Sequence, residues 1–154
     1  MAHHTATVVW HRNGAAFLDK KYSRAHEWRF DGGAVVHASS SPHIVPLPYS
    51  DATAVDPEEA FIASLSSCHM LFFLSIAMDA GFVVDEYEDN ARGRLERNAA
   101  GKLAMTQVGL APRARFAGAQ PSREQIRAWH HDAHAQCFLA SSVTTHIECH
   151  PVDA

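Results

Sequence analysis

DPEEAFIASLSSCHMLFFLSIAMDAG, residues 56–81, reads as one long helix with both ends marked. Asp56 can cap it, Pro57 suits a first helical position that needs no amide hydrogen, and Glu59 completes a capping box. Gly81 follows the last helical residue, where a left-handed conformation favours a residue without a Cβ. Phe61, Ile62, Leu65, Met70, Leu71, Phe72, Phe73, Leu74, Ile76 and Met78 leave almost no polar face, so the helix is expected to be buried on most sides. Ser64, Ser66, Ser67, Cys68 and His69 interrupt that run. They leave no unbroken apolar stretch of the roughly 20 residues that a bilayer span requires. Unpaired polar groups buried in a core cost about 1–3 kcal/mol each, so this cluster is expected either to border a pocket or to satisfy itself on the helix backbone.

Around this helix, 154 residues suffice for one domain with a core that needs no disulfides. The formal charge of −4, with both signs scattered along the chain, offers no basic stripe, which disfavours nucleic acid and anionic membrane surfaces as partners. No secretory n-region and h-region open the sequence, so the three cysteines are expected in a reducing cytoplasm. There a cysteine is catalytic, metal-binding or buried more often than cross-linked. Twelve histidines, His3 and His4 among them, raise the question of metal.

Ahead of the helix, Thr5–His11 reads as a strand and Asn13-Gly14 as a turn. Tyr22–Phe30, the turn Asp31-Gly32-Gly33 and Ala34–Ala38 then complete a small antiparallel meander. Ser39–Val55 is a long loop in which Pro42, Pro46 and Pro48 alternate with Ile44, Val45, Leu47 and Tyr49. It reads either as a stiff collar over a pocket or as a plain surface crossing. After the helix, Tyr87–Arg97 and Leu103–Phe116 read as two strands of one hairpin, joined through Asn98–Gly101, with charged residues giving it one wet face. A second helix starts at Ser122, where Gln125 completes a capping box, and passes Ile126, Trp129, Ala133 and Cys137. Val143–Cys149 is a last strand, and Pro151–Ala154 a tail. The expected organisation is a single domain over 1–154: strands and loop 1–55, central helix 56–81, hairpin 86–116, second helix 122–138 and last strand 142–150.

Asp56-Pro57-Glu58-Glu59, with Cys68 ten residues after Glu58, resembles the helix start and peroxidatic cysteine of the OsmC/Ohr family. These are bacterial thiol-dependent peroxidases that reduce organic hydroperoxides. Ala133-His134-Ala135-Gln136-Cys137 is similar to the family's later helix ending in the resolving cysteine, although Phe138 stands where the family commonly has proline. The resemblance covers nearly the whole chain. It implies an α+β fold with antiparallel sheets packed around a long central helix, assembled as an intertwined homodimer with sites at the subunit interface. It also implies Cys68 as nucleophile, Cys137 as resolving thiol, Arg24 (or else Arg29) holding thiolate and peroxide, and Glu58 positioning that arginine. No cofactor is implied. The resemblance also implies a dithiol on a lipoylated protein, with small thiols as the alternative, to reduce the Cys68–Cys137 disulfide. Phe61, Leu65, Phe72, Ile44 and Leu47 are the expected apolar contacts for an alkyl or lipid hydroperoxide.

One geometric condition accompanies that reading. Ten helical residues rise about 15 Å, too far for the Glu58 carboxylate to touch the Cys68 sulfur. Either the helix breaks near 64–67, or an arginine lies between, or the carboxylate comes from another subunit. Two further readings compete. His130, His134 and Cys137 fall at i, i+4 and i+7 of the second helix, a face that suits Zn²⁺, against the plainer reading of histidines on a wet surface. A non-catalytic member binding a hydrophobic ligand is the other.

Overall fold

The computed structural model describes residues 1–152. Its contacts group into two compact units, Met1–Ala60 and Phe61–Ala154. Of the tail expected over 151–154, Asp153 and Ala154 lie outside the described residues.

In the first unit β1 (Ala6–Val9), β2 (His26–Phe30) and β3 (Val35–Ala38) form the antiparallel meander in the order β1-β2-β3. Val8 lies opposite Trp28, and Trp28 opposite Val36, so β-branched and aromatic side chains share one face. Asn13 and Gly14 take positive φ, and the Ala15 amide donates to the Arg12 carbonyl at 3.1 Å, giving the turn that Asn-Gly favours. This turn does not join the strands directly. β1 and β2 pair across the whole of residues 10–25, so the hairpin is a wide one.

The loop after β3 is tied down at both ends. The Ser39 amide donates to the Val55 carbonyl at 3.1 Å, and the Asp51 amide to the Ser39 hydroxyl at 3.0 Å. Asp51 in turn accepts from the Thr53 amide at 2.9 Å. Helix α1 (Pro57–Asp79) follows, and its start is the expected reciprocal cap. The Glu59 amide donates to Asp56 Oδ1 at 2.8 Å and the Asp56 amide to Glu59 Oε2 at 3.1 Å.

In the second unit α1 ends in a Schellman motif. Gly81 has φ +82°, the Phe82 amide donates to the Ala77 carbonyl at 3.0 Å, and the Gly81 amide to that of Met78 at 2.9 Å. The expected hairpin is here four strands: β4 (Val83–Asp89), β5 (Arg92–Arg97), β6 (Leu103–Leu110) and β7 (Pro112–Ala117). β4 pairs with β7 and β5 with β6, in two separate sheets. The break has a physical cause. Asp89 Oδ1 takes the Ala111 amide at 2.7 Å, diverting it from the ladder, and Pro112 has no amide to offer. β5 is exposed along its whole length, where only one wet face was expected. At Gly93 a Cβ would collide with the side chains of Ile62 and Met105, so glycine lets α1 lie close against this strand.

Helix α2 (Arg123–Gln136) carries its expected capping box, with the Gln125 amide donating to Ser122 Oγ at 3.1 Å and the Ser122 amide to Gln125 Oε1 at 2.9 Å. A 3-10 turn at Ala140–Ser142 leads to β8 (His146–Cys149), shorter than the strand expected from residue 142. β8 joins the β5–β6 sheet by pairing parallel to β6, a departure from the all-antiparallel expectation that the β7–α2 crossover makes possible.

Two clusters form the core of this unit. Phe73 and Ala77 of α1 meet Phe116 of β7 and Trp129 and Ala133 of α2, while Leu65 meets Val108 and Leu110 of β6. The contacts use one stripe of α1: Leu65, Cys68, His69, Phe73 and Ala77. Leu71 and Met78 stay 62% and 66% exposed, so within one chain the helix is not enclosed on most sides. A further expectation needs correcting. By length and composition α1 is apolar enough to cross a membrane, because its serines and Cys68 weigh little against its Phe, Leu, Ile and Met residues. A core helix of a water-soluble domain meets the same criterion.

Candidate active site

The polar run in α1 resolves into distinct partners. Ser64 Oγ donates to the Phe61 carbonyl at 2.8 Å and Ser67 Oγ to that of Ser64 at 3.2 Å, so these two are satisfied on the helix backbone. Ser66 Oγ instead donates to Asp89 Oδ2, linking α1 to the end of β4. Cys68 and His69 remain. Both face the core, 6% and 1% exposed.

Cys68 meets Cys137, which sits at the C-cap of α2 with its amide shared between the Ala133 and His134 carbonyls at 3.0 and 3.2 Å. The cap turns the chain out of the helix with φ −68° and ψ 104°, and the side chain points inward, 1% exposed. Cys137 Sγ lies 2.8 Å from Cys68 Sγ and donates to it, while accepting from the Ala140 amide at 3.4 Å. Burial raises the Cys137 thiol pKa, and the Cys68 sulfur adds to the shift, so Cys137 holds its proton. Phe138, in place of the family's proline, packs its ring edge-on against Phe72 at 5.5 Å.

Arg24 and Glu58, both in the first unit, line a cavity of about 440 Å³ whose other walls are Val8, Trp10, Phe17, Tyr22, His26, Ser40 and Pro57. The aromatic wall is self-supporting. Phe17 and Tyr22 stack at 4.6 Å, Trp10 meets Tyr22 edge-on at 5.5 Å, and Trp10 Nε1 donates to the Ser23 carbonyl at 2.8 Å. The Arg24 guanidinium sits 3.8 Å over the Tyr22 ring and donates to the Lys20 and Tyr22 carbonyls. Arg29 is engaged elsewhere, in an exposed ion pair with Glu27 at 2.8 Å. Since α1 is continuous over Pro57–Asp79, the helix break offered as one route between Glu58 and Cys68 does not occur.

The expected apolar contacts fall in different places. Leu65 is a core residue with Phe61 packed beside it, and Phe72 packs against the Phe73 cluster. Ile44 and Leu47 are 49% and 60% exposed. The cavity wall of Trp10, Phe17 and Tyr22 is not among the expected site residues; its one sequence signal is the placing of aromatics on either side of the Asn13-Gly14 turn.

A second cavity, of about 450 Å³, opens within the second unit among Arg127, His130, His131, His134, Ile147, Cys149, His150 and Pro151. His130 is not on a wet face but 3% exposed, stacked on Phe73 at 4.2 Å and hydrogen-bonded through Nδ1 to His69 Nε2 at 2.9 Å. Desolvation lowers the pKa of both rings, His69 to about 4 and His130 to about 3, so both are neutral at pH 7. Cys149 Sγ is 3.7 Å from His69 Nε2, and burial followed by the Asp89 charge pushes its thiol up to about 12. Among the described residues it is His69, His130 and Cys149 that bring metal-ligating atoms together. The anticipated set of His130, His134 and Cys137 does not, since Cys137 turns inward to Cys68.

A family model described as OsmC-like protein matches residues 50–151. The chain belongs to the OsmC-like family. A Vibrio cholerae OsmC-like protein of unknown function is 50% identical, with 98% of this chain and 99% of that one aligned at a TM-score of 0.96. An organic hydroperoxide resistance protein from Elizabethkingia anophelis shares the fold at 16% identity, covering 98% and 94% of the two chains with a TM-score of 0.71. The organic hydroperoxide resistance protein OhrB of Bacillus subtilis does so at 16% identity, 96% and 97% coverage and a TM-score of 0.64. No curated protein matches the chain. The α+β architecture inferred for this OsmC-like protein is thus that of OsmC and Ohr structures.

Proposed function

We propose that this OsmC-like protein is a thiol-dependent peroxidase that reduces organic hydroperoxides. The observation carrying the reading is the buried contact of two thiols from different elements, Cys68 on α1 and Cys137 at the end of α2, at 2.8 Å. Their order is the one the family resemblance implies: Cys68 attacks and Cys137 resolves. The raised pKa of the buried Cys137 thiol supports it as the partner that holds its proton until the second step. The Cys68 thiolate attacks the terminal peroxide oxygen, the O–O bond breaks, and the alkoxide leaves as the alcohol after taking a proton. The Cys137 sulfur then displaces hydroxide from the Cys68 sulfenic acid. A disulfide forms, and the hydroxide leaves as water with the Cys137 proton. An external dithiol returns both sulfurs to thiols and is itself oxidised; a lipoylated protein is the expected carrier.

In this reading Arg24 holds thiolate and peroxide and Glu58 positions Arg24, within a cytoplasmic homodimer. The cavity these two residues line supports the substrate class. Its apolar aromatic wall and size suit an alkyl chain, and Arg24 and Glu58 add charge to its lining for a polar head.

Single-turnover consumption of an organic hydroperoxide tests the assignment. Cys68→Ser should consume none, because a serine hydroxyl stays protonated. Cys137→Ser should complete one turnover and leave a sulfenic acid that dimedone traps. Wild type given one equivalent should yield a Cys68–Cys137 bond on peptide mapping. Equal inactivity of both variants, or a mapped bond to Cys149, would overturn the two-thiol cycle. Tight binding without consumption would favour the non-catalytic ligand-binding reading.

A further inference from the structure

We propose that His69, His130 and Cys149 form a binding site for one zinc-class divalent ion, separate from the Cys68–Cys137 pair. The three residues come from α1, α2 and β8, and their ligand atoms lie within 4.8 Å of one another. His69 Nε2 is 2.9 Å from His130 Nδ1 and 3.7 Å from Cys149 Sγ. Those separations are close to the edges of a coordination tetrahedron. With Zn–N about 2.0–2.1 Å and Zn–S about 2.3 Å, tetrahedral angles put two nitrogens about 3.3 Å apart and nitrogen and sulfur about 3.6 Å apart. The nitrogen pair therefore needs to open by only a few tenths of an ångström, the His69–Cys149 pair already fits, and the third pair, His130 with Cys149, lies within 4.8 Å.

Ligand chemistry narrows the ion. Two imidazoles and one thiolate, with no carboxylate in the set, select a borderline or soft cation over magnesium or calcium. The surroundings hold the ligands in place, since His130 is fixed by stacking on Phe73 and both histidines are at most 3% exposed. His130 and Cys149 also line the second cavity, so the ion has a route in from solvent. Three protein ligands leave the fourth position to water or a small anion from that cavity, the pattern of an open zinc site. On binding, the Cys149 S–H bond is exchanged for a sulfur–metal bond, and one proton per ion passes to the buffer.

Cobalt(II) is the spectroscopic probe. Reduced protein stripped by a chelator should take up one Co²⁺ per chain with a thiolate-to-cobalt charge-transfer band, and Zn²⁺ should displace it. The band should persist in a Cys68→Ser/Cys137→Ser variant. In Cys149→Ser it should vanish, with affinity falling by at least the roughly 10–100-fold that even outer-shell changes cost. A band kept by Cys149→Ser, or lost with the Cys68/Cys137 pair, would overturn the site, as would Co²⁺ uptake with no charge-transfer band. Should Cys149→Ser fail to fold, alkylation of the wild type decides. Zn²⁺ should slow labelling of Cys149 and leave that of Cys68 unchanged, and equal rates at Cys149 with and without Zn²⁺ refute the proposal.

Discussion

Tyr87→Phe should stabilise this protein. The Tyr87 ring packs against Phe73 at 5.5 Å and sits 6.4 Å from the His130 ring, while its hydroxyl is buried with no hydrogen-bond partner among the described residues. In the unfolded chain that hydroxyl is hydrated, so folding moves it from water to a place where no described protein group pairs with it. The penalty for such a group is about 1–3 kcal/mol, and phenylalanine removes it while keeping the ring contacts. For a domain of this size each kcal/mol corresponds to roughly 2–4 °C in Tm. The pH dependence sharpens the test. Burial, followed by the Asp89 and Cys149 charges, raises the Tyr87 pKa above its ordinary value of 10.0. Above pH 10 the unfolded chain therefore releases a proton that the folded chain retains, and wild-type stability falls as pH rises. By pH 11 this adds about 1.4 kcal/mol to the advantage of the variant. Urea unfolding at pH 7.5 and pH 11 measures both parts. A variant less stable than wild type at pH 7.5, or a gap that does not widen by pH 11, would show that the hydroxyl is solvated or paired.

Three further substitutions probe the first unit. Asp56→Ala removes the acceptor of the Glu59 amide and half of the reciprocal cap at the start of α1, and should cost about 0.5–2 kcal/mol in urea unfolding. Arg24→Met should slow hydroperoxide consumption more than Arg29→Met, because Arg24 lines the cavity with Glu58 whereas Arg29 spends its charge on Glu27 at the surface. A larger loss from Arg29→Met would move the peroxide-holding role to that residue.

What could be read in the sequence was what local chemistry encodes. Both capping boxes, the Gly81 terminator and the Asn98–Gly101 turn each depend on a few adjacent residues, and each stands where it was expected. The hairpin failed on the same scale for a different reason. Nothing in the strand pattern of Tyr87–Arg97 reveals that the Asp89 carboxylate will capture the amide of Ala111, which is what splits one long ribbon into two sheets. His130 marks a similar limit. Helical spacing grouped it with His134 and Cys137, its neighbours on α2, but the parallel return of β8 beside β6 brings Cys149 to the same place, and α1 brings His69. The local grouping of Cys137 failed because the C-cap sends its side chain the other way, to a thiol 69 residues distant. The side chains proposed to carry chemistry in this unit thus partition by tertiary contact into thiol with thiol, and imidazole with imidazole. Cys149 joins the imidazoles. On the two proposals made above, that separation would let a redox pair and a metal site share one small core, since a zinc ion held by Cys149 would leave both sulfurs of the Cys68–Cys137 pair free to form and break their bond.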